Sequence, residues 1–300
     1  MRKHFIALTI VLCLVLMTTS MGIFAADKKI NVGAKNFTEQ YIIGNMLSIL
    51  LDNNGFDVKE QFGTGSAITR EGLVSGQTDL YPEYTGTASL VYLKHEEVIT
   101  DPETLYQKVK KEDLEKNDIV WLERSNINNT YAIAITKEIA EEKNIYSLSD
   151  LADYVNENQD LTWGIDTEFS ERADGLPGLA DHYGMDIAEE NIKIMEIGLT
   201  FEALDRGQVD ITMVFATDGK IKKYDLQVLE DDQQFFPVYN LCVCVREEVL
   251  EQYPEIEEIV APIADLTDEV MQELNYQVDA TGLPAVLVAK NYLNENNYLD

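Results

Sequence analysis

Cysteine, histidine and positive charge are all scarce in this chain, and each scarcity closes off a class of function. Three cysteines occur in 300 residues. Cys13 lies in an N-terminal apolar run behind Val11-Leu12, where lipoprotein processing wants a small residue, so a soluble exported protein is expected rather than a lipid-anchored one. Cys242 and Cys244 stand two apart in a strand-like run and share a face, a poor arrangement for a mutual disulfide. They are expected to be small buried hydrophobes rather than a redox or metal pair. His95 and His182 are the histidines beyond the N-terminal run, and neither has a second histidine or cysteine at metal-ligand spacing. There is no Gly-x-Ser-x-Gly elbow and no phosphate loop ending in Gly-Lys-Ser/Thr. Gly63-x-Gly65 is too short to be a dinucleotide fingerprint. No enzyme, no cofactor and no metal is therefore expected. Lysine and arginine total 23 against 54 acids, for a formal charge of −31. Such a chain has no general field for nucleic acid phosphates and is repelled by anionic lipid. Long apolar runs are missing too: past residue 26 no stretch is apolar enough to span a bilayer.

What is present begins with an export signal. Arg2, Lys3 and His4 form a basic start, Phe5 to Met17 is almost wholly apolar, and Ala25-Ala26 supply small residues before Asp27. Residues 1–26 are expected to be a signal peptide, which puts the rest of the chain in the periplasm or on the outer face of the cytoplasmic membrane.

The remainder alternates strand and helix signals. Lys29–Ala34 reads as a strand and Thr38–Asn53 as a helix, with apolar Ile42, Ile43, Met46, Leu47, Leu50 and Leu51 at helical spacing. A strand follows at Phe56–Gln61, a short helix at Ala67–Gly76 and a strand at Leu80-Tyr81. After it, Tyr81 and Pro82 are expected to shape a turn. The same grammar restarts with strands at Thr162–Ile165, Ile192–Glu196 and Ile211–Phe215. This is the pattern of a mostly parallel sheet flanked by helices. Two apolar strands, Tyr131–Ile135 and Val238–Val245, bracket the second unit. They suggest a first lobe made of 27–132 and 237–300, interrupted by a second lobe of 133–236.

The run Asp79-Leu80-Tyr81-Pro82-Glu83-Tyr84-Thr85-Gly86-Thr87 offers two tyrosine faces at a strand end, where two-lobed α/β proteins hold small ligands. Together with Gly33-Ala34-Lys35-Asn36-Phe37-Thr38-Glu39-Gln40 it resembles the quaternary-amine-binding subunits of osmoprotectant importers, the glycine betaine/carnitine/choline-binding proteins of ATP-driven transporters. Further matches follow in order: Asn129-Thr130-Tyr131-Ala132, Glu168-Phe169-x-x-Arg172-x-Asp174-Gly175, Ala203-Leu204-x-x-Gly207-x-Val209-Asp210, Ala216-Thr217-Asp218-Gly219 and Phe235-Phe236-Pro237-x-Tyr239. The resemblance covers about residues 29–295.

The resemblance implies a two-lobed periplasmic-binding-protein-like α/β fold of type II, with the ligand in the cleft between lobes. It implies an aromatic cage at Tyr84, Tyr131, Phe215 and Tyr239, because a quaternary ammonium cannot donate a conventional hydrogen bond and is held by π faces. A betaine carboxylate would be held by Lys35, Arg172 and Thr87. The implied partner is an ABC permease with its ATPase, served by a monomer. The chain departs from the family pattern at Phe215, where tyrosine is common, and at Asn129, where aspartate is frequent and a charge beside the cage is lost. Retained Lys35 and Arg172 favour a carboxylated ligand, glycine betaine or carnitine, with choline or ergothioneine as alternatives within the family. An enzyme or sensor on the same scaffold is the remaining alternative. Taken without the resemblance, Tyr131, Phe215 and Tyr239 are ordinary core residues and Arg172 an ordinary ion-pair arginine.

Overall fold

The computed structural model describes residues 28–299. The signal peptide expected at 1–26, with Cys13, lies outside the described residues. In chain order the elements that carry the site are β1 (Lys28–Lys35), α1 (Thr38–Asn53), β2 (Phe56–Thr64), α2 (Ser66–Val74), β3 (Leu80–Tyr84), α3 (Pro102–Asn117), β4 (Ile119–Trp121) and β5 (Tyr131–Thr136). They continue with α4 (Lys137–Lys143), α5 (Leu148–Glu157), β6 (Trp163–Ile165), α6 (Thr167–Glu171), α7 (Leu176–Tyr183), β7 (Ile192–Ile194), α8 (Leu199–Asp205), β8 (Ile211–Phe215), α9 (Gly219–Lys223) and β9 (Leu226–Val228). The last are β10 (Leu241–Arg246), α10 (Glu247–Gln252), α11 (Ile256–Val260), α12 (Asp268–Asp279) and α13 (Ala285–Glu295).

Two five-stranded sheets form, in the orders β2-β1-β3-β10-β4 and β7-β6-β8-β5-β9. In the first, β1 runs parallel to β2 and β3, while β10 is antiparallel to β3 and β4. In the second, β6 runs parallel to β7 and β8, while β5 is antiparallel to β8 and β9. The two orders are the same pattern repeated. In each sheet the single antiparallel strand is the one the chain enters just after crossing over. The fold is thus two α/β lobes joined by two crossing segments, as expected.

Helix α1 spans the residues its periodicity marks. Ile42, Ile43, Met46, Leu47, Leu50 and Leu51 are all at most 2 % exposed and bury its apolar stripe. Each contributes roughly 1.5–3 kcal/mol on leaving water. Cys242 and Cys244 are free and buried, packed with Tyr81 and Trp121. Helix α12 joins the lobes at close range: a Cβ on Gly219 would stand 2.3 Å from the Tyr276 backbone nitrogen, so α9 and α12 touch backbone to backbone.

Several boundaries differ from the sequence expectation. Tyr81 and Pro82 form no turn; they continue β3, with Val243 opposite Pro82. A proline is tolerated here because β3 pairs with β1 only at Leu80, and the Pro82 carbonyl is taken by Gln40 Nε2 at 3.0 Å instead. Strand β10 starts at Leu241, not Val238, because Val238–Asn240 bonds to the other crossing segment: Tyr239 N donates to Asn128 Oδ1 at 2.7 Å, and Asn128 bridges Asn240. Strand β7 ends at Ile194.

Candidate functional site

Strand β3 delivers Tyr84 at its C-terminal end, and Thr85–Thr87 starts a helical turn at once. Gly86 is required there, since a Cβ would meet the Tyr239 ring at 2.7 Å and the Val238 carbonyl at 2.8 Å. The Thr-Gly-Thr tail therefore lets the second crossing segment lay Tyr239 against the end of β3. From the other lobe, Tyr131 opens β5 and Phe215 closes β8, and the two are register partners. Their rings lie 5.2 Å apart, and Tyr239 meets Tyr131 edge-on at 5.6 Å.

All eight residues singled out from the sequence line one cavity: Tyr84, Tyr131, Phe215, Tyr239, Lys35, Arg172, Thr87 and Asn129. The lobes close tightly around it, leaving about 30 Å3. Arg172 follows α6 in extended backbone and lies 5.5 Å from the Tyr131 ring centre. Lys35 Nζ stands 5.3 Å from that of Tyr84.

Both basic residues already have acid partners. Lys35 Nζ pairs with Glu83 Oε1 at 2.5 Å, both side chains at most 3 % exposed. Glu83 also accepts from Tyr81 OH at 2.6 Å, Tyr92 OH at 2.9 Å and Tyr84 N at 2.7 Å. Arg172 forks onto Asp174, with Nε to Oδ1 at 2.7 Å, and reaches Glu168 at 3.7 Å. Asp174 accepts from Tyr239 OH at 2.6 Å. Glu168 takes the Ser66 amide at 2.7 Å and its hydroxyl at 2.8 Å at the start of α2. The last two contacts run from one lobe to the other. Thr87 is buried and lines the cavity beside them.

Asn129 explains its own departure from aspartate. Its Nδ2 donates to Glu39 Oε1 at 3.0 Å, while its Oδ1 lies 2.9 Å from Thr217 Oγ1. An aspartate could not donate to a carboxylate. Glu39 is a hub: it also accepts from Tyr84 OH at 2.7 Å, Thr217 Oγ1 at 2.5 Å and Asn275 Nδ2 at 3.4 Å. It ties Tyr84, β8's exit and α12 together. Burial pushes its pKa up, against the pull of these hydrogen bonds. Burial likewise pushes the Tyr84 and Tyr239 hydroxyls well up, so both act as neutral donors.

Sequence reasoning missed Phe37, Glu39, Glu83 and Glu168 as parts of this site. Phe37 stacks on Phe215 at 4.9 Å and faces Tyr84 at 6.2 Å. It sits inside the Gly33–Gln40 run, between β1 and α1, and that position was its signal. Glu83 carried one too: an acid in the middle of an otherwise apolar strand.

The chain matches the model of the substrate-binding domain of ABC-type glycine betaine transport systems over residues 28–295. It is 38 % identical to a glycine-betaine-binding protein of Pseudomonas aeruginosa over 93 % of each chain. It is 35 % identical to an ergothioneine transport permease/ergothioneine binding protein of Helicobacter pylori, over 89 % of this chain and 47 % of that one. Among solved structures, a glycine betaine/carnitine/choline ABC transporter crystal structure superposes with TM-score 0.72 at 30 % identity, covering 92 % of this chain and all of the other. The chain belongs to the family of substrate-binding domains of ABC-type glycine betaine transport systems.

Proposed function

We propose that this protein is a non-enzymatic, extracytoplasmic receptor that closes on a quaternary ammonium zwitterion and hands it, as a monomer, to an ABC permease with its ATPase. The lobes of this reading are those expected from the sequence, 27–132 with 237–300 and 133–236, with the first boundary moved back ahead of Tyr131, because Tyr131 and Ala132 pair with Phe215 and Val214 in the second sheet. The observation that carries it is the meeting of Tyr84, Tyr131, Phe215 and Tyr239 around one cavity, with Lys35 and Arg172 beside them. Each desolvated cation–π contact contributes about 0.5–2 kcal/mol. Several together reach a large share of the roughly 8 kcal/mol of a micromolar complex. Acids outnumber bases around the cage, with Asp166, Glu168, Asp174, Glu83 and Glu39 against Lys35 and Arg172, which suits a cation. An ammonium carries three donors and a guanidinium five, so Lys35 and Arg172 keep capacity for a ligand carboxylate after binding Glu83 and Asp174. Thr87 supplies a hydroxyl and Asn129 holds the hub behind Tyr84. Glycine betaine fits this arrangement, and carnitine carries the same trimethylammonium head for the cage. Ergothioneine, a betaine on a larger ring, is the second reading, favoured by the Helicobacter relative.

Calorimetry with glycine betaine, carnitine, choline, proline betaine and ergothioneine tests the ligand class. Micromolar binding of at least one is expected, and no binding below millimolar from any of them rejects the class. Arg172→Ala tests the carboxylate role. A hydrogen bond to a charged group contributes about 1.5–3 kcal/mol, so betaine affinity should fall roughly tenfold to a hundredfold while choline changes little. Equal losses for both would remove Arg172 from that role.

A further inference from the structure

A second chamber of about 200 Å3 adjoins the cage. Asn36, Phe37, Ile197 and Phe215 line both, so the stacked Phe37–Phe215 pair is their common wall. Beyond that wall the chamber changes character. Its lining adds Thr200 from α8 and Lys220 from α9, together with Phe201 and Met213.

Two features mark it as built for a polar guest. Thr200 is 1 % exposed, and its Oγ1 has no hydrogen-bond partner among the described residues. A buried hydroxyl left unpaired costs about 1–3 kcal/mol, which a ligand acceptor would recover. Lys220 is the loosely held cation of the region: Nζ stands 3.8 Å from Asp279 Oδ1 and 3.5 Å from the Gly198 carbonyl. Contrast Lys35 and Arg172, which hold their acids closely. Asp218 also borders the chamber, but its Oδ2 is turned to the Phe215 amide at 2.8 Å.

We infer that this chamber is a subsite for the anionic end of a long zwitterion, a trimethylammonium compound whose carboxylate lies several bonds from the nitrogen. The ammonium sits in the cage, the chain passes the edge of the Phe37–Phe215 wall, and the carboxylate meets the Lys220 ammonium and the Thr200 hydroxyl. A short betaine cannot span the wall and keeps its carboxylate near Lys35 and Arg172. This inference rests on the cage reading above and adds the length of the preferred ligand.

The test is calorimetry on the wild type, Thr200→Val and Lys220→Met with two probes, glycine betaine and carnitine. Thr200→Val removes only the hydroxyl at nearly constant volume, and retained glycine betaine binding reports an intact cage. Each variant should weaken carnitine about tenfold, the value of one charge-assisted contact, and glycine betaine less than about twofold. Equal changes for the two probes, or none for either, overturn the subsite and leave the cage standing. Failure of the wild type to bind carnitine overturns the subsite, and failure to bind any of the five quaternary amines overturns the cage reading as well.

Discussion

The two basic residues that line the cavity look equivalent, yet their surroundings differ. Lys35 and Glu83 both belong to the first sheet, on β1 and β3, and Glu83 is further wrapped by two tyrosine hydroxyls and a backbone amide. That circuit is closed within one lobe. Arg172 and Asp174 both belong to the second lobe, but Asp174 reaches Tyr239 of the crossing segment and Glu168 reaches Ser66 of the first lobe. One pair therefore holds a lobe together. The other holds the lobes to each other, and its contacts must break whenever the cleft opens. The lesson is that a basic side chain in a cleft serves folding or closure according to where its acid's remaining hydrogen bonds go.

Replacing one cation at a time separates these roles. Lys35→Met strands the Glu83 carboxylate inside a lobe; breaking one partner of a buried pair costs about 3–5 kcal/mol. Denaturant unfolding should show that loss, and Glu83→Gln added to Lys35→Met should restore much of it. Arg172→Met should cost clearly less stability, because its pair borders the cleft and water reaches Asp174 once the lobes part. Equal destabilisation by the two would erase the distinction.

Acidity provides the next largest effect. Burial pushes the Asp218 pKa from 3.8 up to about 7, helped by Asp279 and Glu39 and opposed by the Phe215 amide and Lys220. Between those values the folded chain keeps a proton that the unfolded chain has lost, so this group lowers stability as pH rises from about 4 to 7. Glu39, also pushed up, acts with the same sign. Asp218→Asn removes one such group while keeping an acceptor for the Phe215 amide. It should flatten the decline and stabilise the protein near pH 8 by up to a few kcal/mol. A stability profile that overlays the wild type from pH 4 to 8 would show that Asp218 titrates normally.

These contacts also mark what could be read from the chain and what could not. Helix α1 was legible because six apolar residues recur at helical spacing, and the repeated strand–helix grammar announced both lobes. The eight residues that meet at one cavity were singled out through the resemblance and its motif order. Pro82 misled, because a proline reads as a turn unless one knows that its strand has already lost a neighbour. Glu39 was hidden for another reason. An acid in the first turn of a helix is ordinary, since it complements the helix dipole. Only the tertiary fold brings Tyr84, Asn129, Thr217 and Asn275 to it from four other segments. Long-range polar partnerships of this kind leave no local period, so patterning cannot reveal them.

The smallest change sharpens the comparison most. Tyr239→Phe deletes one oxygen, the donor to Asp174, and leaves the ring that packs against Gly86 and meets Tyr131 edge-on. The π face offered to a cation is preserved, and Asp174 keeps its Arg172 fork. What disappears is a single hydrogen bond between lobes, a net contribution of about 0.5–1.5 kcal/mol. If that bond belongs to closure, affinity should fall by a few-fold to about tenfold, equally for betaine and choline, because both ligands close the same cleft. Scattering should show a larger share of open molecules at subsaturating ligand. A loss confined to betaine would assign the Tyr239 hydroxyl to the carboxylate site instead, and unchanged affinity for both would mean that the cleft closes without this bond, through contacts such as Glu168 to Ser66.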